Sequence, residues 1–321
     1  MIPAYTVRTI ILFHNAMKYD VIIIGGGPAG VSAGVYSSRK QLKTLVISES
    51  FGGQSAVSST VENWIGENSI SGWELGQKFE AHLRAQEGIE VRQEHATKIE
   101  PGESGYIVTT EGGAYETKAI ILAMGGKHRH LGVPGEEEFV GKGVVYCSTC
   151  DAPFFKGKAV AVVGGGNSGL EAVEDLLPYA EKVTLLALGD VLRGDEVTKD
   201  KILSDSRVSV IYNAKTEAVL GTGKVEGIRY EDTTTGETKE LPVDGVFVEI
   251  GMVPNSDLAK GLVDLSEYGE VKVDARTFST SLPGVFAAGD ITDTPYRQNN
   301  ISAGQGVVAA LSAYDYIRKG K

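Results

Sequence analysis

Two segments of this chain read almost alike, and that repeat constrains the fold more than any other feature. Tyr19–Gly30 reads YDVIIIGGGPAG, and Lys158–Gly169 reads KAVAVVGGGNSG about 140 residues later. Each opens with an apolar run of the length expected of a parallel strand covered on both faces. Each closes on G-x-G-x-x-G, through Gly25, Gly27 and Gly30 and then through Gly164, Gly166 and Gly169. In such a turn the first glycine makes the bend and the second lets a pyrophosphate reach the backbone. The third lets helix and strand pack closely. Helices are expected to follow over Val31–Arg39 and over Leu170–Leu177, the latter stopped by Pro178. Further strands follow at Thr44–Ile47 and Val183–Leu186.

One fingerprint alone is a weak signal, but two in the same strand–turn–helix order imply two dinucleotide sites, most commonly FAD paired with a nicotinamide. Pro28 and Ala29 complete the first turn, and Asn167 and Ser168 the second, where free N–H groups at the helix start face the anion. An acid is expected about 20 residues beyond the first turn to hold a ribose. Glu49 lies 19 beyond Gly30, and fits either that role or a solvated loop.

At 321 residues the chain has room for two domains with their own cores. Between the fingerprints, Tyr106–Thr110 and Ala114–Thr117 alternate around Gly112-Gly113 as a hairpin, followed by an apolar strand at Ala119–Ala123. Leu131–Gly135 reads as a linker, and Gly251–Pro254 as a second crossing. A second hairpin is expected over Val225–Val248, with its turn in Asp232–Glu240. Val285–Asp290 and a helix over Ser302–Ile317 are apolar enough to rejoin the first domain. The expected fold class is therefore α/β: two Rossmann-like dinucleotide-binding domains with three-layer ββα/βα packing, the second inserted into the first. The boundaries are 18–131 with 252–321 for the FAD domain, and 132–251 for the NAD(P) domain, after an extension over 1–17.

That extension carries the apolar run Thr9–Phe13, too short for a membrane span. It is expected to be a non-functional leader or, failing that, an ordered packing arm. A net charge of −11 argues against nucleic acid as a partner. The two cysteines stand three positions apart, unlike the spread of a secreted disulfide scaffold, which points to the cytoplasm.

Cys147-Ser148-Thr149-Cys150-Asp151 is the chemical centre. Cysteines at this spacing on a helical turn reach the roughly 5.5 Å Cα separation of a disulfide, and such pairs lower a thiol's pKa into the reactive range. A zinc site needs four ligands, and the chain has no other cysteine. An inert pair is the other alternative. Asp151 can shuttle the proton that accompanies a two-electron step, or cap a helix, and the two roles are compatible. Cys150 lies 14 residues before Gly164, so the dithiol belongs with the second nucleotide domain. Both the nicotinamide and the disulfide must then take turns at a flavin held elsewhere, so hinges are expected at Leu131–Gly135 and Gly251–Pro254.

The motifs GGGPAG, GGQ (Gly52–Gln54), VENW (Val61–Trp64), CSTCD, GGGNSG, GVFAAGD (Gly284–Asp290) and YRQ (Tyr296–Gln298) follow one another in order. Together they resemble the low-molecular-weight thioredoxin reductases over essentially the whole chain after Met17. The second half also resembles NADH-dependent flavoprotein reductases that serve peroxiredoxins. The resemblance implies that Gly25, Gly27 and Gly30 hold the FAD pyrophosphate, that Gln54 and Asn63 approach the flavin, that Asp290 contacts the ribityl chain, and that Gln298 sits near the ring. Gly53, Gly125 and Gly289 belong to the same expected FAD site. The resemblance also implies that Cys150 faces the flavin, that Cys147 attacks the disulfide of a thioredoxin- or glutaredoxin-like protein, and that Asp151 is the acid–base residue. A homodimer is implied as well.

One departure bears on the electron donor. NADPH-using relatives carry His-Arg-Arg after the second strand of the nucleotide domain, then a further Arg. Here the stretch reads Ala187-Leu188-Gly189-Asp190, and only Arg193 remains. A 2′-phosphate needs cationic partners, and Ala187 stands where a glutamate would grip an NADH ribose. The stretch fits NADH with Asp190 as substitute, weak use of both NADH and NADPH, or another donor. Beside a disulfide reductase, the sequence also fits a flavin oxidase or a non-enzymatic redox sensor.

Overall fold

The computed structural model describes residues 17–58 and 60–320, so the expectations for the leader lie outside the described residues. The chain divides into two compact units. Among the described residues, one holds 17–56, 74–125 and 254–320, and the other holds 57–58, 60–73 and 126–253.

The first unit is built on a seven-stranded sheet. Met17–Ile24 lies between Thr44–Ile47 and Gly113–Leu122, all parallel, with Ile89–Arg92 outside Thr44–Ile47. The expected hairpin forms, pairing Gly105–Thr110 antiparallel with Gly113–Leu122 at Thr110↔Gly113. The strand expected separately at Ala119–Ala123 is the continuation of that hairpin strand, because nothing between Thr117 and Ala119 breaks it. Its far half pairs in parallel with Val285–Ala287. This one strand thus joins an antiparallel meander to a parallel sheet. Ile22, Leu45, Ile120 and Val285, all fully buried, pack there against Tyr106, Val108, Tyr115 and Val271. Removing several such side chains from water stabilises the unit by roughly 2 kcal/mol each.

The helices of the first unit run over Pro28–Arg39, Gly72–Arg84 and Asn299–Arg318. The first and last each begin about three residues ahead of expectation, since proline is compatible with a first helical turn and Gln298 supplies an extended N-cap residue. These two helices approach closely enough that a Cβ on Gly306 would lie 2.1 Å from the Ala29 carbonyl oxygen.

The second unit repeats the plan. Five parallel strands lie in the order Val208–Ile211, Lys182–Leu186, Ala159–Val163, Gly245–Val248, Val144–Val145. Helix Asn167–Leu176 follows the central strand, with Leu170, Val173 and Leu176 fully buried. The second hairpin is shorter than the sequence suggests. Val225–Asp232 turns at Thr233–Gly236 into Glu237–Pro242, and Gly245–Val248 leaves to join the parallel sheet. The antiparallel partner Ala214–Gly221 completes a three-stranded layer.

Leu131–Gly135, expected as a linker and hinge, is fastened into this second unit. The amides of Leu131 and Gly132 donate to the buried carboxylate of Glu136 at 2.8 and 2.7 Å, and the Val219 amide donates to the Pro134 carbonyl. The crossing itself falls earlier, at residues 125–126, and the return falls at 253–254.

Candidate active site

Cys147 and Cys150 are joined in a disulfide, with Cα atoms 5.3 Å apart; Cys150 lies in a single helical turn over Ser148–Asp151, and Cys147 is the extended residue that precedes it. The Asp151 amide closes that turn onto the Cys147 carbonyl at 3.1 Å. Ser148 Oγ and Thr149 Oγ1 both donate to Asp175 Oδ2, at 2.8 and 2.9 Å. Asp175 stands near the end of Asn167–Leu176, the helix that starts at the second glycine turn. Nucleotide turn and dithiol therefore share one helix.

Asp151 makes no side-chain capping bond, so the capping role open to it from sequence is not used. Burial alone pushes its carboxyl up to about 6, near enough to neutrality to hold and release a proton in turnover. Glu249 follows strand Gly245–Val248, and its carboxyl accepts from the Ser148 amide. Burial first, then the nearby Asp175 and Glu171, push it up to about 8. The sequence carries one signal for Glu249, an acid interrupting the apolar run Val246–Ile250, while Asp175 looks like any polar position on a helix.

The Glu249 shift makes a stability prediction. Above the ordinary carboxylate range the unfolded chain releases a proton that the folded protein keeps, so stability is lost as pH rises from about 4.5 toward about 8. Glu249→Gln removes that cost and keeps an acceptor for the Ser148 amide. It is expected to be more stable than wild type at pH 8 by on the order of 2–3 kcal/mol, the gap closing below pH 4.5. A melting-temperature difference that does not change with pH would show that burial of this acid is not the cause.

Tyr146, just before Cys147, is fixed on its other side. Its hydroxyl donates to Glu136 Oε1 at 3.0 Å, and its ring stacks on His128 with centroids 5.5 Å apart.

In the first unit the expected FAD residues converge. Gly25 has φ +122°, and a Cβ there would lie 2.2 Å from the Ala123 carbonyl oxygen. A Cβ on Gly30 would lie 1.9 Å from the Gly25 carbonyl oxygen, whereas one on Gly27 would meet only Gly53 at 3.7 Å. The turn is thus packed tight behind and open in front, the shape a pyrophosphate requires. Pro28 and Ala29 start the helix, and Gly289, at φ +81°, packs against Ala29. Gly125, at φ +63°, follows strand Gly113–Leu122. Asp290 accepts from Ser302 Oγ at 3.1 Å, and burial raises its pKa. The exposed Gln54 adjoins Ser55, whose hydroxyl donates to Asn299 Oδ1 at 2.8 Å, bringing the Gly53–Gln54 loop to the helix that follows Gln298. Glu49 is brought beside the turn, since a Cβ on Gly26 would touch Ser48 and Ser50. Its side chain is largely exposed and lies 3.1 Å from His95 Nδ1. Asn63 belongs to the segment 57–73 that groups with the second unit.

In the second unit a Cβ on Gly169 would lie 1.8 Å from the Gly164 carbonyl oxygen, while one on Gly166 would meet open space. Asn167 Oδ1 accepts from the Asp195 amide at 2.7 Å, and Ser168 is exposed. Arg193 is drawn to this turn, its amide donating to the Gly165 carbonyl at 2.7 Å. Ala187 is buried against Gly165, whereas Leu188 and Asp190 are exposed.

Two dinucleotide-binding turns and a dithiol–disulfide pair define a flavin-dependent disulfide oxidoreductase. The model of the pyridine nucleotide-disulphide oxidoreductase family matches residues 19–308, and the chain belongs to that family. Its structural neighbours are low-molecular-weight thioredoxin reductases. The enzyme from Streptococcus pyogenes superposes with a TM-score of 0.89 at 34% identity, covering 95% of this chain and all of that one. The enzyme from Giardia duodenalis gives 0.88 at 32% identity, over 94% and 99%. An alkyl hydroperoxide reductase subunit from Pseudomonas aeruginosa is 45% identical over 304 residues. That match takes in 93% of this chain but 58% of the relative, so the chain spans under two thirds of the curated relatives it matches. Among the described residues, no helix is long and apolar enough to cross a membrane.

Proposed function

We propose that the chain is a thioredoxin-type disulfide reductase, passing two electrons from a nicotinamide nucleotide through FAD and Cys147–Cys150 to a small protein disulfide. The observation that carries this reading is the disulfide on a turn beside a partly buried acid of raised pKa, on the unit that holds the second glycine turn. FAD, when bound at Gly25–Gly30, would supply the two-electron carrier between nucleotide and disulfide. The chain's own residues do the rest. Gly25–Gly30 with Gly53, Gly289 and Asp290 hold the flavin nucleotide. Gly164–Gly169 and Arg193 would hold the nicotinamide nucleotide, and Asp151 gives a proton to the thiolate that leaves as the disulfide opens. Cys147, ahead of the turn, is the thiol that attacks the partner's disulfide, and Cys150 the one that meets the flavin. A homodimer is part of this reading.

The likeness to an alkyl hydroperoxide reductase subunit favours a second acceptor, a peroxiredoxin-type disulfide. Steady-state assays with thioredoxin and with a peroxiredoxin as sole acceptors separate the two. Turnover with thioredoxin supports the first reading, and turnover with the peroxiredoxin alone replaces it with the second.

For the donor, Arg193 is the one cation brought to the second turn from the Ala187–Arg193 loop, and Ala187 offers nothing to a ribose. NADH and NADPH are therefore expected to reduce the flavin with kcat/KM values within about tenfold of each other. Ala187→Glu restores a charge-assisted ribose contact and is expected to improve NADH use by about tenfold. A preference for NADPH above roughly a hundredfold in the wild type would refute this assignment.

A further inference from the structure

The two residues between the cysteines are held more firmly than ring closure of a disulfide requires. Both hydroxyls, Ser148 Oγ and Thr149 Oγ1, converge on one oxygen of Asp175, and the Ser148 amide is directed to Glu249. Among the described residues no lysine or arginine pairs with Asp175, and its carboxylate is engaged by these two hydroxyls. We infer that Asp175 is a positioning residue for the redox pair: by fastening Ser148 and Thr149 it holds the turn in disulfide geometry and keeps Cys147–Cys150 strongly reducing.

Two physical effects point the same way. When the disulfide opens, a thiolate forms, and in a Cys-x-x-Cys turn it is stabilised by whatever N–H and O–H donors lie nearby. Here three such donors are already committed to carboxyl oxygens. The thiolate finds less support, and the carboxylate bonded to the two intervening hydroxyls adds repulsion. The disulfide, which carries no charge, suffers neither penalty. It also gains from a turn fixed in advance, with Cα atoms already 5.3 Å apart. The result is a pair that is hard to reduce and hands its electrons on readily, the property a reductase needs at its exit. Asp175 sits on the helix that opens at Gly166, so the same rod fixes the nucleotide turn and the dithiol turn. The inference rests on Cys147–Cys150 being the redox pair, and is independent of the donor and the protein partner.

The test is a thiol–disulfide equilibrium on the flavin-loaded protein, free of both donor and partner. The enzyme is equilibrated anaerobically at pH 7 with mixtures of reduced and oxidised dithiothreitol, then acid-quenched, alkylated and weighed by mass spectrometry. Reduced dithiothreitol closes to its cyclic disulfide as the Cys147–Cys150 bond opens, and two electrons and two protons pass from one to the other. Asp175→Ala is expected to shift this equilibrium toward the dithiol by about tenfold, which is about 30 mV. Asp175→Asn keeps an acceptor oxygen and is expected to shift it by less than about threefold. The double variant Ser148→Ala, Thr149→Val unfastens the turn with the helix untouched, but it frees no donor and keeps the carboxylate, so it is expected to move the equilibrium toward the dithiol by less than Asp175→Ala does. If Asp175→Ala loses its flavin, the double variant decides. An Asp175→Ala equilibrium within about twofold of wild type, or a disulfide that becomes harder to reduce in that variant or in the double variant, overturns the inference. Failure of the thioredoxin assay above would leave this result standing, so the two readings fail separately.

Discussion

Cys147→Ser and Cys150→Ser are each expected to lower protein-disulfide reduction by at least about a thousandfold while the flavin stays bound. The reason is stoichiometric as much as geometric. Transfer from flavin to a protein disulfide runs through the Cys147–Cys150 bond, and the chain has no other cysteine to stand in. A serine cannot form the mixed disulfide through which exchange proceeds. Both variants should still bleach their flavin when given dithionite, since neither residue lies in the glycine turn of the first unit. The two also differ in a way that assigns roles. If Cys147 is the attacking thiol, the Cys147→Ser enzyme keeps a thiol able to meet the flavin, and Cys150→Ser keeps one able to trap a partner as a mixed disulfide. Trapping by Cys147→Ser instead would reverse the assignment.

The second large effect separates the two nucleotide turns. Gly30→Val should abolish flavin retention, lowering FAD affinity by at least about a hundredfold, and Gly169→Val should spare it. In each case even the Cβ would sit within 1.9 Å of a carbonyl oxygen, at Gly25 or at Gly164, so helix and strand must move apart. Overpacking of that kind costs about 1–3 kcal/mol or more, and here it also spoils the anion-binding turn. Gly30→Val should therefore purify colourless. Gly169→Val should purify yellow and be reducible by dithionite, yet respond poorly to NADH or NADPH. A colourless Gly169→Val with a yellow Gly30→Val would exchange the two sites.

How much of the molecule is legible in its sequence depends on the range of the interaction. The glycine turns can be read because their constraint is local: a strand, a bend and a helix within about a dozen residues. The hairpin at Gly112-Gly113 is legible for the same reason. The dithiol can be read from spacing alone, and the 5.3 Å separation follows from one helical turn. The Val225–Val248 segment is harder. Alternation cannot distinguish a third hairpin strand from Gly245–Val248 crossing into a parallel sheet, since each is a short apolar run. Leu131–Gly135 misleads because proline and glycine mark turns as often as linkers. Only the folded chain shows the Glu136 carboxylate taking up two of its amides. Asp175 and Glu249 are out of reach on similar grounds. Asp175 meets the dithiol turn from 27 residues away, and Glu249 from a strand much further along the chain. The acid inside Val246–Ile250 marks Glu249 as unusual, but no local pattern announces either contact. Helix Gly72–Arg84 falls between the VENW motif and the hairpin, in a stretch where no element is expected from the sequence.

Electron uptake tests the central claim most directly. The flavin-loaded protein is titrated anaerobically with dithionite, following the flavin band and, in quenched samples, the alkylation of Cys147 and Cys150. Uptake of about four electrons per flavin is expected, two at the flavin and two at the disulfide, with both cysteines becoming alkylated and Cys150→Ser stopping at about two. Uptake that ends at about two electrons in the wild type, with the flavin bleached and the Cys147–Cys150 bond intact, would contradict a reductase that works through this pair.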